Sequence, residues 1–457
     1  MTVTQFWCEH AWLGGDTVAN AVTIDVVDGY IRAVTTDTER GDGTTVLNGL
    51  VLPGLANAHS HAFHRALRSR TQRDRGTFWT WRNLMYQAAD RLTPESYYQL
   101  ARGVYAEMVM AGITSVGEFH YLHHDDGGIP YADPNAMAHA LIAAARDAGL
   151  RITLLDTCYL SAGVDGSPLA EGPQLRFGDG TGVRWAQRTE TLHQHYRDAR
   201  DVVIGAALHS VRGVPVEHMG AVVDWAAAHD APLHVHSSEQ IAEVDQCLAV
   251  HGCTPTALMR DHGVLGPRTT AVHATHLTDA DIGDLDMTAT GVCFCPTTER
   301  DLGDGIGPTT ALMKAAGLFS LGSDSHAVID LFEEARGVEL DERLARRERG
   351  LFSAAELLTA ATVNGHRTLG FADAGYLRVG QRADLVALDL NSIRTAGSPA
   401  SAETAVFAAT AADVTDVVVD GRLVVANRRH THIERPAHDL ARSITDLLDG
   451  EPTRSTQ

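Results

Sequence analysis

The chain has 457 residues, 44% of them hydrophobic, and a formal net charge of −21 at pH 7. This size and apolar content are enough for a large folded core. The negative charge argues against nucleic acid or an anionic membrane surface as a partner. The chain also lacks an apolar run of the roughly 18 residues that a membrane-spanning helix needs.

The cysteines and the first residues bear on the compartment. The start, MTVTQFWCEHAWLGG, lacks the basic and apolar regions of a secretory signal peptide. The six cysteines are scattered and do not show zinc-knuckle spacing. We therefore expect reduced thiols in a cytoplasmic protein. The pair Cys293-x-Cys295 could be imagined as a metal site, but the interpretation as two buried core thiols is favoured.

Both ends of the chain read as short strands. In residues 1–52, the run NAVTIDVVDGYIRAVTT is broken by the turn signal Asp28-Gly29. In residues 375–432, RADLVALDL and VTDVVVDGRLVVANRR follow the same pattern, and the second is broken at Asp420-Gly421. Two similar ends around a different middle predict one small β-sandwich domain that both ends build. Residues 433–457 are predicted to form a C-terminal helix and a frayed tail.

The middle of the chain, residues 53–374, alternates strand-like and helix-like segments. Eight apolar runs fit strands: GLVLPGLANAHSH, ITSVGEFHYLHH, RITLLDTCYL, DVVIGAALHSVR, APLHVHSSE, TTAVHATHL, GVCFCPTTER and GLFSLGSDSH. Helical segments such as SYYQLARGVYAEMVMAG and PNAMAHALIAAARDAG separate them, and several end on a capping glycine. This pattern predicts an α/β fold, a distorted (β/α)8 TIM-like barrel with its chemistry at the carboxyl ends of the strands.

One long segment interrupts the alternation. The stretch SAGVDGSPLAEGPQLRFGDGTGV follows the third strand and has no periodicity. A loop of this length at a barrel mouth is either a lid or a disordered insertion, and the sequence does not decide between them.

Polar side chains end several of the predicted strands. His59 and His61 stand two residues apart, so in a strand their side chains point the same way. Three other strand ends carry similar groups: His234 with His236, His273 with His276, and Asp324. Each histidine alone is more often a hydrogen-bonded structural residue. Together, imidazoles and one carboxylate at a single barrel mouth suit Zn²⁺ or Fe²⁺ and predict a metal site.

These motifs resemble those of the amidohydrolase superfamily. The shared marks are LPGLANAHSH, HVHSSE, VHATHL, LGSDSH and VGQRADLVALD. Within the cytosine/guanine-type deaminase branch, longer segments resemble the formimidoylglutamate deiminases: HSHAFHRAL, FWTWRNLMY, GITSVGEFHYLHHD, LHSVRGV, HVHSSEQ and CPTTERDLGDGI. The resemblance extends over nearly the whole chain and implies a metal-dependent hydrolase.

The resemblance implies roles for particular residues. It assigns His59, His61, His236 and Asp324 as metal ligands, and it selects His236 because the ligand in this branch lies three residues before the glutamate. Glu239 is then the group that carries a proton to the departing nitrogen. His273, together with Asp324, takes a proton from the attacking water or orients it.

The number of metals can be argued from one missing residue type. Binuclear members of the superfamily bridge their metals with a carboxylated lysine at the end of strand four, or with a glutamate. The only lysine of this chain is Lys314, and the fourth strand ends in His209-Ser210-Val211-Arg212. Because arginine does not form that carbamate, we expect a single divalent metal, Zn²⁺ before Fe²⁺.

The substrate that the resemblance implies is N-formimino-L-glutamate, hydrolysed in histidine degradation to N-formyl-L-glutamate and ammonia. Its two carboxylates need basic partners, and Arg82 and Arg212 are the candidates. Without the resemblance, each arginine would sooner be read as part of an ordinary ion pair. Tyr121 and His209 are further candidate contacts. Where the family commonly has a glutamine that contacts substrate, this chain has His64, which leaves that contact open.

Two other functions remain open at this point. The first is another single-metal deaminase of the same branch, acting on guanine, cytosine or an adenosine derivative. The second is a catalytically silent metal-binding relative that serves as a scaffold. For the enzyme we expect a small dicarboxylate substrate, no nucleic-acid or membrane partner, and a homodimer.

Overall fold

A computed structural model describes residues 3–72, 78–315 and 318–449 of the chain. The predicted tail after residue 449 lies outside these ranges. The described strands are organised in two sheets of eight strands each. The first four strands belong to the sheet that the chain ends build: β1 (Thr4–Trp12), β2 (Val18–Val27), β3 (Tyr30–Thr35) and β4 (Thr45–Pro53).

The other sheet is the predicted barrel. Its eight strands are parallel and adjacent in chain order: β5 (Leu55–Ser60), β6 (Ile113–His120), β7 (Arg151–Cys158), β8 (Val202–Leu208), β9 (Leu233–Ser237), β10 (Thr269–His273), β11 (Gly291–Phe294) and β12 (Phe319–Leu321). A parallel bridge between Ser60 and Asp324 joins the first strand to the segment after the last. The sheet is therefore nearly closed, and the predicted (β/α)8 barrel is confirmed.

The structure divides the first predicted strand run in two. The run GLVLPGLANAHSH contributes its first half to β4, in the end sheet, and its second half to β5, in the barrel. Gly54 lies at the transition, where a Cβ atom would come within 2.3 Å of the Thr114 hydroxyl and 2.7 Å of the Asp384 Cβ. Only glycine fits where the chain passes so closely between the two sheets.

The end sheet is completed by strands from the last part of the chain: β13 (Leu385–Leu388), β14 (Val414–Val419), β15 (Arg422–Ala426) and β16 (Arg429–His430). Its order is β16-β15-β14-β13-β4-β1-β2-β3, so the two ends of the chain meet where β4 pairs with β13. The predicted turn glycines Gly29 and Gly421 have φ of 85° and 74°. A Cβ on Gly29, in the turn between β2 and β3, would lie 3.1 Å from the carbonyl oxygen of Asp420, in the turn between β14 and β15. The two halves of the sheet therefore come together, and they enclose an apolar core of their own.

Helices cover the outside of the barrel and its loops. In chain order they are α1 (Phe78–Arg91), α2 (Pro94–Met110), α3 (Ala136–Ala148), α4 (Gly182–Tyr196), α5 (Val216–Ala228), α6 (Ile241–His251), α7 (Pro255–Asp261), α8 (Asp279–Met287), α9 (Pro296–Leu302), α10 (Thr309–Ala315), α11 (Leu331–Arg346), α12 (Ala354–Thr359), α13 (Gly365–Thr368), α14 (Ala402–Phe407) and α15 (Pro436–Asp449). The predicted cap of α3 is Gly149, at φ 80°; the one predicted after α10 lies outside the described residues. None of the described helices combines the length and apolar character required to cross a bilayer.

The long segment after β7 packs against the barrel mouth. Within it, Pro173–Phe177 forms a short 3₁₀ turn in which Arg176 is buried. The Arg176 guanidinium donates hydrogen bonds to the carbonyl oxygens of Ala89 and Leu92 at the C-terminal end of α1. This contact offsets the unpaired carbonyls of the helix end and joins α1 to the loop. The disordered-insertion interpretation is therefore wrong for this turn.

Candidate metal centre and active site

Four of the predicted residues converge at the carboxyl ends of the barrel strands. The ligand atoms of His59, His61, His236 and Asp324 all lie within 4.8 Å of one another, and all four side chains are buried. One carboxylate oxygen of Asp324 lies 3.4 Å from His59 Nε2 and 3.3 Å from His61 Nε2. The Nε2 atoms of His59 and His236 face each other at 3.1 Å. This donor set, three imidazoles and a carboxylate, is one that Zn²⁺ and Fe²⁺ accept.

In His61 and His236, the hydrogen bond made by the Nδ1 atom leaves the Nε2 atom free to bind a metal ion. His61 Nδ1 lies 2.9 Å from the carbonyl oxygen of Phe119, and His236 Nδ1 lies 2.9 Å from that of His209. A carbonyl oxygen only accepts, so in each ring Nδ1 carries the proton and donates it. The Nε2 lone pairs are then aimed at the shared point. Such backbone contacts behind a histidine are typical of metal ligands.

The charge states suit a cation as well. Burial lowers the pKa of His61 to about 3 and also lowers the pKa of His59 and of His236, so the three rings are neutral near pH 7. Burial alone would raise the pKa of Asp324, but the neighbouring imidazoles, His59 first, hold it well below its usual range. Neutral imidazole nitrogens facing each other at 3.1 Å around one negative carboxylate fit a bound divalent cation.

Closure of the barrel brings Asp324 to the histidines. The backbone N–H groups of Ser323 and Asp324 both donate to the carbonyl oxygen of His59, at 3.1 and 3.0 Å. The Asn57 side chain accepts from the Ser323 N–H at 2.9 Å and donates to its hydroxyl at 2.7 Å. Gly322 makes this approach possible, because a Cβ there would lie 2.7 Å from the Cβ of His59.

Several residues around the site hold the left-handed backbone conformation that non-glycine residues rarely adopt. Ser238, His273, Ala274, Asp324 and His326 have φ between 40° and 69°. Such conformations cost free energy and persist where the surrounding structure enforces them, often at functional sites. They set the direction in which His273 and Asp324 leave their strands.

Glu239 and His273 flank the four-residue cluster. His273 Nε2 lies 4.0 Å from one Glu239 oxygen and 3.7 Å from the outer oxygen of Asp324. Burial raises the pKa of Glu239, so its carboxyl group can hold a proton closer to neutral pH. Burial would lower the pKa of His273, but the carboxylates of Glu239, Glu299 and Asp324 outweigh it and raise that pKa well above its usual value.

The sequence did not single out Glu299, which lies behind His273. One Glu299 oxygen lies 3.3 Å from His273 Nδ1 and accepts the backbone N–H of Cys295 at 2.9 Å. Glu299 therefore fixes the orientation of the His273 ring and directs Nε2 toward Glu239 and Asp324. It belongs to the CPTTERDLGDGI motif, but no spacing rule marks it in advance.

Replacing Glu299 with glutamine should lower kcat by about 10- to 100-fold, the range typical when the partner behind a functional histidine is lost. Glutamine keeps an acceptor oxygen for Cys295 but removes the charge facing His273. Steady-state kinetics should show KM and metal content near those of the unmodified chain. Glu334→Gln is the matched control, since Glu334 is a buried carboxyl that hydrogen-bonds Thr297 instead. An unchanged kcat in Glu299→Gln would remove this positioning role.

Two further buried groups near His273 are protonated near neutral pH. Burial, reinforced by the charge of Glu239, raises the pKa of Asp304 to about 9, so this carboxyl group is neutral. Burial also raises the pKa of the Cys295 thiol well above its usual value. Although Cys295 lies close to His273 and Glu299, a protonated thiol is a poor metal ligand. The interpretation of Cys293 and Cys295 as core thiols agrees with their burial beside Ala58 and Val272.

The predicted substrate-binding residues line one pocket above the cluster. The structure brings together His64, Arg82, Tyr121, His209 and Arg212 with His61, His236, Glu239, His273 and Asp324. His59 lies beneath the pocket and is fully buried. Every predicted site residue thus belongs to this region, whereas His234 hydrogen-bonds the carbonyl oxygen of Thr368 and His276 that of Asp304.

Arg212 is bound on two sides. Its Nε donates to Glu243 at 2.6 Å, and another guanidinium nitrogen lies 3.5 Å from Glu239. These carboxylates raise the pKa of Arg212, which stays charged although buried. Arg82 comes from α1, with its guanidinium carbon 5.2 Å from the centre of the Tyr86 ring. The two arginines therefore reach the pocket from different walls.

Aromatic rings build the remaining wall, and most of them were missed from the sequence. Tyr159 stacks on His209 with ring centres 4.0 Å apart, and Trp81 and Tyr86 approach from α1. The hydroxyl of Tyr121 pairs with His64 Nε2 at 2.8 Å. His64 thus occupies the pocket wall beside His61, with its ring centre 4.5 Å away.

The sequence matches the model of the amidohydrolase family over residues 50–424. It is 37% identical to a formimidoylglutamate deiminase of Pseudomonas aeruginosa over 92% of this chain and 94% of that protein. It is 31% identical to an 8-oxoguanine deaminase of the same organism, over 76% of each chain. These findings confirm the resemblance that the motifs indicated.

Solved structures agree with the fold. An amidohydrolase from Brucella melitensis superimposes with a TM-score of 0.90 at 32% identity, covering 97% of this chain and 100% of that one. An adenosine deaminase from Xanthomonas campestris, solved with bound zinc, has a TM-score of 0.85 at 24% identity, over 98% of each chain. The chain therefore belongs to the amidohydrolase family and is a hydrolase that acts on carbon–nitrogen bonds.

Proposed function

We propose that the chain hydrolyses N-formimino-L-glutamate to N-formyl-L-glutamate and ammonia, as a step of histidine degradation, with one divalent cation, Zn²⁺ before Fe²⁺. The observation that carries the proposal is the composition of one pocket. It combines a four-ligand cluster and a buried proton carrier with two arginines on separate walls. The formimidoylglutamate deiminase at 37% identity supports this choice among related substrates.

The residues present fit the cation. His59, His61, His236 and Asp324 would hold it. The Nε2 atoms of His61 and His236 carry no proton, since their Nδ1 atoms donate to carbonyl oxygens. His59 Nε2 lies 3.1 Å from that of His236 and beside one oxygen of Asp324. Bound there, a divalent ion would lower the pKa of a water molecule from about 15.7 to about 7 and so supply hydroxide at neutral pH.

The side chains around the four-ligand cluster transfer protons and orient the attacking oxygen. The attacking oxygen forms a bond to the formimino carbon, the bond from that carbon to the terminal nitrogen breaks, and the nitrogen leaves as ammonia. Glu239 takes one proton from the water and delivers it to the departing nitrogen, and the second proton leaves the oxygen as the C=O bond of the formyl group forms. Asp324 and His273, oriented by Glu299, hold the attacking oxygen on the correct face.

The two arginines should respond differently to substitution. Arg82→Met removes a carboxylate anchor and should raise KM by about 10- to 100-fold with little change in kcat, as expected for a charged hydrogen bond worth about 1.5–3 kcal/mol. Arg212→Met also strips a cation from Glu239 and Glu243, so kcat should fall as well. Steady-state kinetics on both, with the exposed Arg184→Met as control, separates these outcomes. Unchanged KM in Arg82→Met and Arg212→Met would remove both anchors.

A second candidate function is deamination of a purine or purine nucleoside. The aromatic walls formed by Trp81, Tyr86, Tyr121 and Tyr159 favour it, because such rings also accept flat heterocycles. Relatives that include the 8-oxoguanine deaminase support it too. The two pocket arginines count against it, since an uncharged base does not need them.

Ammonia release from a panel of compounds tests the proposal. The panel contains N-formimino-L-glutamate, formimino compounds that lack one carboxylate, adenosine, guanine and 8-oxoguanine. We expect kcat/KM to be highest for N-formimino-L-glutamate and to fall by about 10-fold or more for each missing carboxylate. A purine turned over faster than every formimino compound would overturn the proposal in favour of the second candidate.

A further inference from the structure

A cluster of histidines and a carboxylate lies outside the catalytic pocket, between two outer helices. Glu190 and His193 are three residues apart on α4, a spacing that places their side chains on one helix face. His229 caps the C-terminal end of α5, the neighbouring helix. The ligand atoms of the three residues lie within 4.8 Å of one another.

The distances are close to those of a metal site. His229 Nε2 lies 2.7 Å from a Glu190 oxygen, and the rings of His193 and His229 have centres 4.2 Å apart. A tetrahedral zinc ion with bonds of about 2.0–2.1 Å holds its ligand atoms about 3.3 Å apart. Small rotations of these half-buried side chains would reach that geometry.

The carboxylate of Glu190 is already oriented. Gln194 donates to one of its oxygens at 2.8 Å, and the Trp225 indole N–H donates to the other at 3.1 Å. Both donors are neutral, and no arginine pairs with Glu190 among the described residues. Histidine is therefore the only ionisable partner of the Glu190 carboxylate among the described residues. Neutral hydrogen-bond donors hold the carboxylate in place, as they do for carboxylates that bind metals.

A simple ion pair explains only part of this arrangement. Glu190 and His229 alone would form one, but His193 completes the cluster and has no hydrogen bond to its ring nitrogens within the part of the chain that the structure describes. Two protonated rings so close together would repel each other, whereas two neutral rings and one carboxylate attract a divalent cation.

We propose that Glu190, His193 and His229 form a second divalent-cation site of the Zn²⁺ class, with its remaining coordination positions open to water. The site joins the C-terminal ends of α4 and α5, which lie at the barrel end opposite the catalytic pocket. At that end of a barrel, side chains serve stability rather than chemistry. The cation therefore acts as a clamp between two helices and takes no part in turnover.

The test compares zinc uptake by the holoenzyme and by a double variant, His193→Gln with His229→Gln, by equilibrium dialysis and metal analysis. The matched control is His195→Gln, a histidine on the same helix outside the cluster. We expect the unmodified chain and the control to take up one Zn²⁺ per chain more than the double variant. Added Zn²⁺ should raise their Tm by a few degrees, and leave that of the double variant unchanged.

A spectroscopic measurement keeps the proposal open to refutation if the double variant folds poorly. Co²⁺ added to unmodified protein that carries a single Zn²⁺ per chain, in the catalytic cluster, should give visible absorption bands of low-coordinate cobalt, and Glu190→Gln alone should abolish them. Equal zinc uptake by the unmodified chain and the double variant, or the absence of cobalt bands, would overturn the proposal. None of these readouts depends on the catalytic activity.

Discussion

Replacing Glu239 with glutamine is expected to lower kcat by about 10²- to 10⁴-fold, the usual contribution of one positioned acid–base group. Glutamine preserves the size and polarity of the side chain but carries no transferable proton. Glu239 lies beside the four-ligand cluster without belonging to it, so the metal content should remain unchanged. Ammonia release and metal analysis on the same preparation measure both quantities.

The control for this variant is Asp245→Asn, which neutralises an exposed carboxylate on α6. It should retain the activity of the unmodified chain. Loss of activity in Glu239→Gln together with loss of metal would mean that Glu239 acts through the cluster. A rate near that of the unmodified chain, at normal metal content, would show that the proton is carried by another group.

The second large effect is expected from Asp324→Asn. The variant removes the only carboxylate of the four-ligand cluster and a group that directs the attacking water, so kcat/KM should fall by more than about 10³-fold. Metal content should fall as well, because three neutral imidazoles hold a divalent cation less tightly than three imidazoles and an anion. Metal analysis after dialysis, with kinetics, measures the two losses.

The backbone conformation at residue 324 should not change in this variant. Asp324 has φ of 40°, and asparagine tolerates the left-handed region as well as aspartate does. The matched control is Asp304→Asn, because the Asp304 carboxyl is already neutral near pH 7 and the amide replaces it closely. The control should behave like the unmodified chain. Asp324→Asn that keeps its metal and its rate would contradict the assignment of this ligand.

The place of the metal ligands at the strand ends was predictable from two rules, the two-residue repeat of a strand and the parallel arrangement of the barrel strands. Residues two apart in a strand share a face, and parallel strands place their carboxyl ends on one side of a barrel. Imidazoles at the ends of several apolar runs were therefore expected at one barrel mouth, and the structure brings the ligand atoms of His59, His61, His236 and Asp324 within 4.8 Å of one another.

Depth within the barrel was not predictable from the pattern. His234 and His236 share a face, yet they lie in different layers, since two residues along a strand span about 6.6 Å. His234 hydrogen-bonds the carbonyl oxygen of Thr368, whereas His236 faces the cluster. Periodicity alone identifies a face and gives no layer, so only the resemblance to the family chose between them.

Contacts between residues that are distant in sequence could not be predicted either. The pairing of Arg212 with Glu243 depends on the loop after β8 meeting helix α6, and the contact of Glu299 with His273 depends on the first turn of α9. The division of the first strand run at Gly54 follows from two sheets that pass close to each other. These features come from tertiary packing, which local patterns do not encode.

In the proposed function, one cation in the His59–His61–His236–Asp324 cluster enables hydrolysis of N-formimino-L-glutamate. The most direct measurement is the rate of ammonia release from this compound as Zn²⁺ is returned stepwise to chelated protein. We expect negligible release at zero metal, a linear rise with the first equivalent of Zn²⁺, and no further rise beyond it. Full turnover by the chelated protein, or no ammonia from this compound at any metal content, would contradict the proposed function.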